Sequence, residues 1–106
     1  MTPSLPKDGY DKTSSFVFAV DFALPGGGWV LAPYAYLSRA KMPHSGELSF
    51  YYSFGEFRVK GKNLDPIYEA AHQHVLTAVR CNPGEDDPEA TRVEEIVYEE
   101  TDWDEP

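Results

Sequence analysis

Residues 47–60 read Glu47-Leu48-Ser49-Phe50-Tyr51-Tyr52-Ser53-Phe54-Gly55-Glu56-Phe57-Arg58-Val59-Lys60. Leu48, Phe50, Tyr52 and Phe54 share one side of a period of two, and Ser49, Tyr51 and Ser53 share the other. Past Gly55 the alternation resumes, with Phe57 and Val59 set against Arg58 and Lys60. A helix would scatter these side chains around its axis, whereas an extended chain sorts them into an apolar and a polar face. The stretch reads as a β-hairpin turning at Gly55. Its apolar faces meet on the core and leave Ser49, Tyr51, Arg58 and Lys60 outside.

The same period appears upstream. Phe16, Phe18, Val20, Phe22 and Leu24 alternate with Val17, Ala19, Asp21 and Ala23, which predicts a strand with its bulky residues on one face. Pro25-Gly26-Gly27-Gly28 breaks that strand and Trp29-Val30-Leu31 resumes it, the pattern of a second hairpin. Pro33 has no N–H to give to a ladder, so this return strand lies at an edge or bends there. Residues 34–41 continue it past the bend, and residues 42–46 form a loop.

Downstream, Gly61-Lys62-Asn63 ends the sheet segment, and Asp65-Pro66 predicts a helix start, with Asp65 capping the free amides. Ile67, Ala70, Ala71 and His74 recur at helical spacing. Residues 75–81 alternate, so the helix ends near His74 and a strand follows; a longer helix to Val79 is the other reading. Residues 91–99 predict a last strand, with Ile96 and Tyr98 on one face and Val93 and Val97 on the other. Its acidic residues would blunt edge-to-edge pairing at a sheet edge. The fold expected is α+β: an antiparallel, hairpin-built sheet of five or six strands with one covering helix. A small β-barrel plus a helix is the alternative. The chain divides into a flexible N-terminal arm (residues 1–13), a single α+β domain (14–100) and an acidic tail (101–106).

Charge is distributed unevenly. Residues 85–106 carry eleven acidic residues and one basic residue, Arg92, whereas residues 1–84 net +1. An acidic end repels nucleic acid and anionic membrane and attracts basic partners. No apolar run approaches the ~20 residues of a membrane helix, and the N-terminus lacks a signal-peptide pattern. Cys81 is the only cysteine, so no internal disulfide holds the fold. A cytoplasmic protein is expected.

No assembled catalytic or metal motif is visible. His72 and His74 are two apart, about 200° on a helix, and could not grip one metal there, whereas on a strand they could share a face. His74 is expected at the core edge, with His72 and His44 solvated. Cys81 reads as a small buried hydrophobe, and the three glycines as a hairpin loop because no helix follows them. Neither an enzyme nor a cofactor is implied. Arg58, Lys60 and Lys62 line up at a spacing of two beside Tyr51, and Arg39 and Lys41 do likewise. Basic residues beside an aromatic outline a nucleic-acid face. The acidic segment could lie against this row and cancel it. The favoured expectation is a non-enzymatic protein-binding or assembly module. It would dock a basic protein partner through Tyr98, Glu99, Glu100, Asp102 and Asp104, with Trp103 as an aromatic anchor. Tyr and Phe are numerous enough for a homodimer through an outer sheet face.

Overall fold

The computed structural model describes residues 9–81 and 90–100. Eight strands and one helix follow in chain order: β1 (Tyr10–Lys12), β2 (Ala19–Ala23), β3 (Trp29–Pro33), β4 (Leu37–His44), β5 (Glu47–Tyr52), β6 (Gly55–Lys62), α1 (Asp65–His72), β7 (Leu76–Val79) and β8 (Arg92–Glu100). They form an α+β fold of two four-stranded sheets, ordered β1-β7-β2-β3 and β4-β5-β6-β8, with one helix. Among the described residues neither sheet closes into a barrel. The expected class holds, but among the described residues the strands number eight and split between two sheets.

The second sheet is antiparallel throughout and grows from the hairpin at residues 47–60. Its register sets Leu48 opposite Val59, Phe50 opposite Phe57 and Tyr52 opposite Gly55, so Ser53 and Phe54 make the turn. Gly55 is therefore the first residue of the return strand. Its small size answers a different need: a Cβ there would come 2.6 Å from the Glu99 carbonyl oxygen on β8. Ser49 lies on the outer face as expected, yet it is buried at 5% exposure, between Lys41 and Arg58 on the flanking strands.

The first sheet is mixed. β2 pairs antiparallel with β3 and parallel with β7, and β1 pairs antiparallel with β7. Tyr10–Lys12, placed by sequence in the flexible arm, are thus β1; residues 1–8 lie outside the described part. Val20 and Phe22 of β2 are fully buried, but Phe16 and Phe18, assigned to the same face, are 84% and 93% exposed. The strand begins at Ala19, so the alternation of residues 16–18 runs past the end of the sheet. Pro33 closes β3, and Tyr34–Tyr36 form a 3-10 turn instead of continuing the strand. The chain crosses there into β4 of the other sheet. Tyr34 ties the crossing down, its hydroxyl donating to the Leu76 carbonyl at 2.8 Å.

The two sheets share one core. Phe22 stacks on Phe57 at 4.0 Å between centroids and meets Phe50 and Tyr52 edge-on at 5.2 and 6.3 Å. Aromatic pairs at such geometry add to the burial of their area. Ile67, Ala70 and Ala71 seat α1 on the same core. Asp65 does not cap the helix; buried Leu64 holds that position, and the Asp65 charge falls in the first turn, where the helix dipole favours it. The helix stops at His72, as the shorter reading expects, and His74 adopts a left-handed φ of 60° before β7. At β8 a bulge between Lys60 and Gly61 sets Lys60 opposite Glu95 but Gly61 opposite Val93. The extra residue shifts the face, so Val93 and Ile96 are both fully buried instead of lying on opposite sides.

Candidate partner-binding site

Among the described residues β8 is an edge strand, paired with β6 alone. The Gly61 N–H bonds Gly46 on the β5 side, so the odd residues of β6 face β5 and the even ones face β8. By the register, Glu95, Val97 and Glu99 answer β6, and the backbone of Ile96, Tyr98 and Glu100 points away from the sheet. The Cys81 thiol takes up the Ile96 backbone group, which leaves Tyr98 and Glu100 as the outward-facing part of this edge; partial burial of the thiol, with Glu95 nearby, pushes its pKa up despite that bond. Cys81 is exposed, not the buried hydrophobe expected, and its raised pKa opposes a nucleophilic role.

Beside this edge, Leu24, Pro25 and Gly26 at the tip of the β2–β3 hairpin face residues 95–98 across an open, mainly apolar cleft of about 430 Å³. Tyr98 forms part of its wall. The ring stacks on Phe57 at 4.5 Å and meets Phe54 at 6.4 Å, so the exposed edge of Tyr98 is backed by the core cluster. Burial pushes the Tyr98 hydroxyl pKa up, with Glu100 adding to it. Glu94, Glu95, Glu99 and Glu100 are all exposed along the strand. Edge, acid and apolar cleft therefore coincide on one element. Asp102, Trp103 and Asp104, expected to continue the site, lie outside the described residues.

The basic row is interleaved with acid. Arg58 lies 3.3 Å from Glu56 and 3.7 Å from Glu99, and the hydrogen bond to Glu56 holds its pKa above the usual value. Lys60 pairs in register between Glu47 and Glu95, and Lys62 opposite Arg92. Tyr51 is covered by Arg39, whose guanidinium sits 4.8 Å from the ring centroid. The acidic strand does lie against this row, through ordinary β6–β8 pairing.

The histidines come together differently from expectation. His72 and His74 border one cleft with Tyr68, Leu37, Ala40 and Ala71, because the left-handed turn at His74 undoes the helical spacing. His74 is exposed at its rim but stacks flat on Tyr34 at 4.5 Å, with Phe16 edge-on at 6.2 Å. No carboxylate lines that cleft among the described residues. His44 instead accepts the Gly46 N–H through Nδ1, at 3.1 Å, in the β4–β5 turn. Among the described residues no group of three or more His, Cys, Asp or Glu is placed to hold a metal, and no helix is long and apolar enough to cross a membrane. No family model, curated protein or solved structure matches the chain.

Proposed function

We propose that this protein is a non-enzymatic protein-binding or assembly module that takes a basic, extended segment of a partner protein along β8. The observation that carries this reading is the coincidence of an outward-facing strand edge, four exposed glutamates and the cleft beside Tyr98. Backbone groups of an edge strand give affinity to an added strand, and side chains along it give selectivity. The glutamates select for Lys or Arg in the incoming segment and steer its approach. A nucleic-acid role is less well supported, because Glu56, Glu95 and Glu99 stand among the cations it would need.

Truncation cannot test this, since β8 supplies Val93 and Ile96 to the core. The usable variant carries Glu94→Gln, Glu95→Gln, Glu99→Gln and Glu100→Gln together. Titrated with a peptide of alternating Lys and Val, the parent chain should bind and the variant should bind about tenfold more weakly or less. Affinity should fall as salt rises. Equal binding by both chains would remove the basis of the proposal.

A further inference from the structure

We infer that the free edge of β3 is a self-association site, where a second copy of this chain pairs antiparallel to make a two-fold dimer. The two sheets leave four edge strands among the described residues: β1, β3, β4 and β8. Three are protected in the ways that edges usually are. β1 is three residues long and carries Asp11 and Lys12, with Asp11 held by Arg80 at 2.8 Å. β4 carries Arg39, Lys41 and Pro43, and β8 carries its glutamates. β3 reads Trp-Val-Leu-Ala-Pro, and Trp29 and Leu31 are 55% and 63% exposed.

Charge selects the occupant. Residues 13–38 contain one charged residue, Asp21, in a chain of net −9. Two copies meeting at β8 would bring glutamates together; two copies meeting at β3 bring none. Hydrogen bonding fits as well. The Leu24 N–H bonds Gly28 and the Tyr34 N–H bonds Phe18, so the even residues of β3 face β2 and the odd ones face outward. The outward groups are the N–H and C=O of Trp29 and Leu31 and the C=O of Pro33. A two-fold axis through Val30 sets Trp29 opposite Leu31 of the second copy and the reverse. Every outward group of both residues is then paired, and no bond asks Pro33 for a hydrogen. The same register lays each indole beside a leucine on the outer face.

This site lies on the other sheet from β8 and stands or falls separately, because salt moves the two in opposite senses. Net charge opposes association of like copies, so added salt should strengthen the dimer, whereas it weakens docking of a basic peptide. Sedimentation velocity of the full chain across a concentration series, at low and at high salt, reads this. We expect the mass to rise toward twice the monomer with concentration, more so at high salt. Leu31→Lys should raise the dimer dissociation constant about tenfold or more. The Glu94/Glu95/Glu99/Glu100→Gln variant should keep the dimer. Leu31 is exposed, so the substitution leaves the core alone, and an unchanged circular dichroism spectrum establishes that. A chain that stays monomeric at millimolar concentration and high salt, or a dimer indifferent to Leu31→Lys, overturns the inference.

Discussion

Tyr34 and Tyr52 sit in the same core with opposite hydrogen-bond outcomes. Tyr34 gives its hydroxyl hydrogen to Leu76, whereas the Tyr52 hydroxyl is buried without a partner among the described residues. Removing the first oxygen leaves the Leu76 carbonyl short of a donor, and removing the second relieves an unpaired dipole. Tyr34→Phe should therefore cost about 1 kcal/mol, and Tyr52→Phe should be neutral or stabilising, as read by urea unfolding. Glycines give a second contrast. A Cβ on Gly61 would collide with the Arg92 carbonyl, whereas one on Gly26 would meet nothing within 4 Å. Gly61→Ala should cost about 3 kcal/mol by forcing β8 away, and Gly26→Ala less than about 0.5 kcal/mol.

At the scale of elements, much of the fold was legible. The hairpin at residues 47–60 could be read because its alternation is strict and both faces have a use. The helix after Asp65 and the strand after His74 were legible from a change of period. Gly55 was misread because a glycine needed for close approach looks the same in sequence as a glycine needed for a turn. The faces of β8 were misread because one inserted residue, opposite Lys60 and Gly61, flips every side chain beyond it. The acidic strand was legible from composition alone. The cleft beside it was not, since Leu24 and Tyr98 are far apart in sequence and nothing local links them. The separation of β3 from β4 into different sheets was likewise marked by nothing except Pro33.

At the scale of the molecule, burial ties tyrosine ionisation to folding. Burial pushes the Tyr34 pKa from its ordinary value near 10 up to about 12, against the pull of its bond to Leu76, and raises that of Tyr52 further. Unfolded tyrosines release their protons near the ordinary value of about 10. Between pH 10 and 12 the folded chain therefore holds protons that the unfolded chain has lost, and stability falls as pH rises through that window. Below it these groups have no effect. Tyr34 and Tyr52 should ionise only together with loss of circular dichroism. Ionisation of Tyr34 and Tyr52 near pH 10 with the fold intact would contradict the burial described.

In the proposed function an acidic edge strand and the hairpin tip facing it form one receiving surface. The direct measurement is backbone amide NMR of the full chain during titration with the alternating Lys-Val peptide. The largest shifts are expected at Tyr98 and Glu100 and at Leu24 and Gly26, with little change along β3. Shifts spread evenly over the acidic residues, or concentrated on the Arg58 face, would contradict it.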